Sequence, residues 1–85
     1  MPKTLEVTLP SLGDDGDAVS SAFVSMWLVG IGATLRAGDD LLEVNTDKAA
    51  FVVPCPADGV LCEMRVRPED EVRPGDVLAI LETAD

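Results

Sequence analysis

Lys48 is the side chain of this sequence whose chemistry most needs explaining. It is one of two lysines among the 85 residues, the other being Lys3, and it stands between Asp47 and Ala49 in the segment EVNTDKAAFVVP (43–54). A lysine amine is a nucleophile suited to forming a stable amide. Taken alone, however, Asp47-Lys48 is more simply an exposed hairpin turn, because Asp favours turns and strand-like residues flank the pair. The choice between a modification site and a surface lysine depends on the rest of the chain.

Other side chains give little support to catalysis. The sequence has no histidine, and it contains neither a Ser-based triad nor a phosphate-binding loop. Cys55 and Cys62 have neither a CxxC spacing nor a zinc-site pattern, so we predict two free thiols in a reducing compartment. The run GDDGD (13–17) lacks calcium-loop spacing, because Val19 occupies the third alternate ligand position. We therefore predict a non-catalytic chain with no metal site.

The charge of the chain limits its partners. It has 16 acidic and 6 basic residues, a net charge of −10. Nucleic acid and anionic membrane surfaces attract basic proteins, so neither is expected to bind here, whereas basic protein surfaces are. Residues 1–4 lack the apolar core of a targeting segment, and no apolar stretch approaches 18 residues. Either the protein works where it is made, or a targeting segment was removed. We expect the bacterial cytoplasm, with the mitochondrial matrix as the alternative, and a domain that is itself monomeric.

The elements that must position Lys48 are short strands. Apolar runs rich in β-branched residues are separated by Gly, Pro, Asp and Asn, and no window has the pattern of a capped amphipathic helix. This indicates one all-β domain covering residues 1–85, with seven or eight strands. The predicted strand segments are 4–10, 22–29, 40–45, 49–53, 59–67 and 76–82.

An internal repeat suggests that these strands form two similar halves. At an offset of 37, RAGDDLLEV (36–44) falls on RPGDVLAIL (73–81), and nearer the start the best offset is 44, which places VTLP (7–10) on FVVP (51–54). We therefore expect quasi-twofold symmetry, with about seven extra residues in the loop SLGDDGDAVSS (11–21). The offset pairs Lys48 with Asp85, which predicts that the lysine turn lies at the pole opposite the C-terminus. RAGD and RPGD read as β-turns in which Gly38 and Gly75 supply unusual backbone angles.

The sequence around Lys48 resembles the attachment motif of lipoyl domains from 2-oxo acid dehydrogenase complexes. The resemblance rests on EVNTDKAAFVVPCPADGVL (43–61), on LPSLGDDGDAVSSAFVSMWLV (9–29) and on RPGDVLAIL (73–81), and it extends from about residue 5 to residue 82. It implies a flattened β-barrel or sandwich of two four-stranded antiparallel sheets. Two departures are visible, Ala33-Thr34 and Glu69-Asp70, where the family commonly has Gly-Asp.

The resemblance also implies a function and a site. Lys48 would carry amide-linked lipoate at a hairpin tip, with Asp47 and Ala49 helping attachment enzymes to recognise the turn. The domain would then be a swinging-arm carrier between a thiamine-dependent 2-oxo acid decarboxylase, an acyltransferase core and dihydrolipoamide dehydrogenase. The first loop would lie near the lysine, so its acids are candidate contacts for the decarboxylase: Asp14, Asp15 and Asp17.

Two other functions remain open on the sequence. Biotinyl carrier domains share the fold, but their lysine typically lies between two methionines, whereas Asp47 and Ala49 stand here. An unmodified domain that serves only protein interaction is the other alternative. Both differ from the lipoyl prediction in what would be found covalently attached to Lys48.

Overall fold

The computed structural model is built from strands alone in the part of the chain that it describes, which is residues 3–10, 21–47 and 49–83. Within these ranges there is no helix that could cross a membrane. The strands, in chain order, are β1 (Lys3–Thr8), β2 (Ala22–Trp27), β3 (Thr34–Leu35), β4 (Asp40–Asn45), β5 (Ala50–Pro54), β6 (Gly59–Met64), β7 (Glu71–Val72) and β8 (Val77–Thr83).

The eight strands form two four-stranded antiparallel sheets. Sheet A has the order β1-β8-β6-β3, and sheet B has the order β5-β4-β2-β7. Exchanging each strand with its counterpart in the other half, β1 with β5, β2 with β6, β3 with β7 and β4 with β8, converts sheet B into sheet A. The predicted quasi-twofold symmetry is therefore confirmed in the order of the strands. The sheets are not closed into one barrel, so the sandwich part of the expected description is the accurate one.

Two β-bulges repeat with the same symmetry. Ser25 is the extra residue of β2 against β4, and Cys62 is the extra residue of β6 against β8. Leu41 is the extra residue of β4 against β5, and Leu78 is the extra residue of β8 against β1. In each pair of equivalent bulges the two extra residues are 37 positions apart, which is the offset found in the sequence. A bulge shifts the alternation of side chains by one position, so these residues decide which side chains each face presents.

The register corrects the second offset of the repeat. The backbone of Leu9 exchanges hydrogen bonds with Gly75 and Asp76, and the backbone of Cys55 makes the same bonds with Gly38 and Asp39. Leu9 thus corresponds to Cys55 at an offset of 46, whereas the sequence comparison gave 44. The wrong offset arose because VTLP and FVVP share a proline, and a shift of two residues preserves the pattern of inward and outward side chains. The first half is thus longer by nine residues, not seven.

Four tight turns with one residue at positive φ connect the short strands. Each is closed by a backbone hydrogen bond of 2.9–3.0 Å from its fourth residue to its first, and each has its third residue in the left-handed region. Their third residues are Gly32, Gly38, Glu69 and Gly75, with φ of 90°, 93°, 77° and 94°. The roles predicted for Gly38 and Gly75 are confirmed. At the offset of 37, Gly32-Ala33 is the counterpart of Glu69-Asp70, so the departure that the family resemblance placed at Ala33-Thr34 lies one residue earlier in the turn.

The core between the sheets is aliphatic. Its fully buried side chains are mainly leucine and valine, and no buried polar or charged residue occurs among the described residues. The single tryptophan, Trp27, packs against this core and its ring N–H donates to the Val66 carbonyl at 3.1 Å. The interpretation of Trp27 as a packing residue is therefore confirmed. Both cysteines are free thiols, Cys55 buried and Cys62 exposed, as predicted.

Candidate functional site: the β4–β5 hairpin

The hairpin between β4 and β5 presents the segment that contains Lys48. The two strands stay in antiparallel register as far as the pair Asn45–Ala50. Beyond this pair, the Thr46 backbone N–H donates to the Ala49 carbonyl at 2.8 Å, so the strands remain bonded for one more step. Only Asp47 and Lys48 separate these two residues in the sequence. The hairpin therefore closes on a two-residue tip, as the sequence predicted.

The Thr46 side chain reinforces this closure. Its hydroxyl donates to the Ala49 carbonyl at 3.1 Å and accepts the Ala49 backbone N–H at 3.1 Å. Residues in a two-residue hairpin tip have no ladder partner of their own, so bonds at the base of the tip fix the direction in which the tip projects. Sequence reasoning did not assign Thr46 a role. The signal was present, because Ser and Thr hydroxyls commonly bond to the backbone within turns.

The residues predicted to surround the attachment site lie at the surface. Asp47 and Ala49 are both exposed, so a protein that approaches the hairpin can contact them. Lys48 itself lies outside the described residues, and so do Asp14, Asp15 and Asp17 of the first loop. The proposed closeness of that loop to the hairpin therefore remains a prediction.

Symmetry relates the hairpin to the two ends of the described chain. Thr83 is the counterpart of Thr46, and its hydroxyl donates to the Lys3 carbonyl at 3.3 Å. Lys3 is in turn the counterpart of Ala49 at the structural offset of 46. The bond that closes the hairpin in one half thus joins the first and last strands in the other half. The placement of the lysine turn at the pole opposite the C-terminus itself stays a prediction, since Lys48 and the last two residues lie outside the described ranges.

The surface beside the hairpin is less polar than the net charge suggests. The outward residues of sheet B next to the tip include Phe23, Met26 and Val52, all well exposed. The register aligns Phe23 with Asn45 on β4, the last strand pair before the tip. Among the described residues, no group of three or more potential metal ligands is found. The bonded strands and the exposed residues beside the tip can present a modified side chain to another protein.

A family model described as "Biotin-requiring enzyme", for the biotin/lipoyl family, matches residues 5–81 of the chain. Similar curated proteins include dihydrolipoyllysine-residue acetyltransferase components of pyruvate dehydrogenase complexes. The one from Corynebacterium glutamicum is 37% identical over 93% of this chain, and the one from Cupriavidus necator is 41% identical over 95%. The succinyltransferase component of a 2-oxoglutarate dehydrogenase complex from Bartonella vinsonii is 32% identical over 93%. The chain spans only 11%, 14% and 18% of these relatives' lengths.

Solved structures share the fold. The lipoyl domain of the 2-oxoglutarate dehydrogenase complex from Azotobacter vinelandii aligns with a TM-score of 0.67 at 24% identity, over 89% of this chain and 92% of that domain. Urea carboxylase from Kluyveromyces lactis aligns with a TM-score of 0.75 at 16% identity, over 93% of this chain and 6% of the enzyme. These identities support the fold alone. The family match over residues 5–81 and the hairpin geometry together lead to one conclusion: the chain belongs to the biotin/lipoyl family.

Proposed function

We propose that this chain is a lipoyl carrier domain in which lipoate is amide-linked to Lys48. The observation that carries the proposal is the closed hairpin, in which Thr46 and Ala49 are bonded and only Asp47 and Lys48 lie between them. The relatives' names, which specify a dihydrolipoyllysine residue, favour lipoate over biotin. The absence of methionine on either side of Lys48 points the same way.

The geometry fits a side chain that must be acylated and then carried between proteins. The two bonded strands fix the direction of the tip, while exposed Asp47 and Ala49 leave it accessible. Acylation removes the lysine charge, which leaves an apolar arm able to enter a channel. When bound, the lipoyl group supplies acyl and electron carriage, and the domain supplies presentation and recognition. We propose that Asp47 and Ala49 belong to the surface that attachment enzymes recognise.

The proposal extends to the partners of a complex. The carrier would serve a 2-oxo acid decarboxylase, an acyltransferase core and a dihydrolipoamide dehydrogenase, either as a free domain or as part of a longer acyltransferase chain. The net charge of −10 supports docking to basic protein surfaces and opposes self-association. The two free thiols support a reducing compartment such as the bacterial cytoplasm.

The test is mass spectrometry of the protein after coexpression with a lipoate-attaching enzyme. Peptide mapping should find the lipoyl or octanoyl group on Lys48 and none on Lys3, the internal control. Lys48→Arg retains a positive charge but cannot form the amide, so it should lose all acceptor activity and keep the parent's unfolding curve. Modification of Lys3 alone, or full acceptor activity in Lys48→Arg, would contradict the proposal. Biotin on Lys48 after coexpression with both ligases would favour the alternative carrier.

A further inference from the structure

An apolar surface on the outer face of sheet B lies next to the hairpin. Phe23, Met26 and Val52 are 52%, 50% and 45% exposed, although each is an apolar residue in the middle of a strand. We call these three residues the sheet B patch. Isolated exposed apolar residues are common on proteins, but a contiguous group on one face commonly marks an interaction surface.

The strand register places the three patch residues in two neighbouring rows of one face, with Phe23 and Met26 next to each other on β2 and Glu43 between Met26 and Val52. Met26 pairs with Glu43, and Glu43 pairs with Val52, which makes one row across three strands. Phe23 pairs with Asn45, and Asn45 pairs with Ala50, which makes the next row toward the tip. The bulge at Ser25 places Phe23 and Met26 on the same face despite their spacing of three.

The quasi-twofold symmetry supplies an internal comparison. The counterpart of the row Met26–Glu43–Val52 on sheet A is Glu63–Ile80–Glu6, as its pairings show. One row has apolar residues on both sides of an acid, and the other has acids on both sides of an apolar residue. The outer faces of the two sheets have equivalent positions in the fold. Folding alone therefore does not explain why apolar and acidic residues are exchanged between the two rows.

The position of the apolar face suggests its purpose. The row of Phe23, Asn45 and Ala50 is the last strand row before the bonded Thr46–Ala49 pair. The equivalent face of sheet A adjoins the terminal strands, where Lys3 meets Thr83. Of the two outer sheet faces, the one that carries the exposed apolar residues, that of sheet B, is thus the one next to the lysine hairpin.

The reach of the side chain limits which partner must touch this surface. A lipoyl-lysine arm extends about 14 Å, whereas the bare lysine extends only about 6 Å from its Cα, at ~1.25 Å per bond. An enzyme that acts on the dithiolane can therefore work at a distance from the sheet. An enzyme that acylates the bare amine must bring its active site to the hairpin itself, so its surface has to cover the strands next to the tip.

We propose that the sheet B patch is the docking surface for the enzyme that acylates Lys48, and this rests on the proposed lipoyl function. In that step the Lys48 amine attacks an activated acyl donor, an acyl adenylate or thioester. The nitrogen–carbon bond forms, the bond from the acyl carbon to adenylate or thiol breaks, and the amine loses a proton. The occupant presents apolar side chains to Phe23, Met26 and Val52. Basic groups on it face Glu43 and Glu71, which lie beside Met26 and Phe23 in the register.

The test compares two matched double variants as acceptors for a purified lipoate-attaching enzyme. Met26→Thr/Val52→Thr removes two patch residues but keeps β-branched or strand-compatible side chains without new charge. Ile31→Thr/Val60→Thr makes the same change at an exposed turn residue and at the sheet A counterpart of Phe23. The patch variant should show a KM for the acceptor domain raised at least about tenfold, as loss of interface anchors does, and the control should stay within about twofold of the parent.

Further measurements keep the outcome decisive. Urea unfolding followed by Trp27 fluorescence identifies any variant that has lost its fold, in which case the single variant Phe23→Val replaces it, since valine stands at the symmetric position. Parent protein that is not acylated on Lys48 would overturn the proposed function. Acylated parent with an unchanged KM in the patch variants would overturn only the docking surface. If the patch variants are lipoylated normally but undergo slower reductive acylation, the patch belongs to the decarboxylase interface. If the parent dimerises with rising concentration and the variants do not, the patch contacts a second copy of the chain. Either result overturns the proposal.

Discussion

Replacing Glu69 by glycine is expected to stabilise the domain. Glu69 is the one non-glycine residue at positive φ among the described residues, with φ of 77° at the third position of the Arg67–Asp70 turn. A side chain in the left-handed region costs about 1–2 kcal/mol. Glycine removes this cost but loses roughly 0.5–1 kcal/mol through the greater freedom of the unfolded chain. Taking the middle of each range, the free energy of unfolding should rise by about 0.75 kcal/mol, which for a domain of this size raises Tm by about 3–6 °C.

The quasi-twofold symmetry supplies a matched experiment of opposite sign. Gly32 is the counterpart of Glu69, with φ of 90° and open space around the position of an added Cβ. Gly32→Ala therefore introduces backbone strain without a steric clash, and it should lower the free energy of unfolding by a similar amount. Two substitutions at equivalent turns would thus shift stability in opposite directions for one physical reason.

The charge of Glu69 requires its own control. Glu69 is followed by Asp70 and Glu71 in a chain of net charge −10, so removal of one acid relieves repulsion as well. Glu69→Gln removes the charge and keeps the side chain. The measurement is urea unfolding followed by Trp27 fluorescence, in which a change of midpoint with an unchanged m-value reports stability. If Glu69→Gly were no more stable than Glu69→Gln, the backbone argument would be refuted.

Three further substitutions have defined outcomes. Thr46→Val removes the hydroxyl that bonds Ala49, so it should lower the free energy of unfolding by about 1 kcal/mol and slow the acylation of Lys48. Thr46→Ser keeps the hydroxyl and should keep the parent's stability and acylation rate, as measured by urea unfolding and acceptor assays. Gly59→Ala should destabilise by about 1–3 kcal/mol, because an added Cβ would lie 2.7 Å from the Glu82 carbonyl oxygen; Gly30→Ala, which meets nothing within 4 Å, is its control, and equal Tm values would contradict the contact. Replacing Asp14, Asp15 and Asp17 of the first loop by Asn should slow reductive acylation, most strongly at low salt, and should leave Tm nearly unchanged. Equal rates for the variant and the parent across a salt series would show that these charges only face solvent.

Local patterns in the sequence determined much of the fold. Alternating β-branched residues predicted six strands, and each overlaps one of β1, β2, β4, β5, β6 and β8. These strands are long enough for inward and outward positions to differ in polarity, so the alternation is visible without their neighbours. The repeat at offset 37 predicted the twofold relation, and the unusual lysine between Asp47 and Ala49 identified the hairpin. Such features depend on residues close together in the chain.

The tertiary structure alone decided the features that depend on distant residues. The strands β3 and β7 have two residues each, too few for a periodic pattern, and they exist because they pair with β6 and β2. The offset of 46 follows from hydrogen bonds between Leu9 and the turn before β8, which no local pattern records. The bulge at Ser25 likewise appears only when β2 is paired with β4, and it is what places Phe23 and Met26 on one face beside the hairpin. Register is a property of two strands at once, and for that physical reason the sequence identified the lysine while the fold defined the surface around its hairpin.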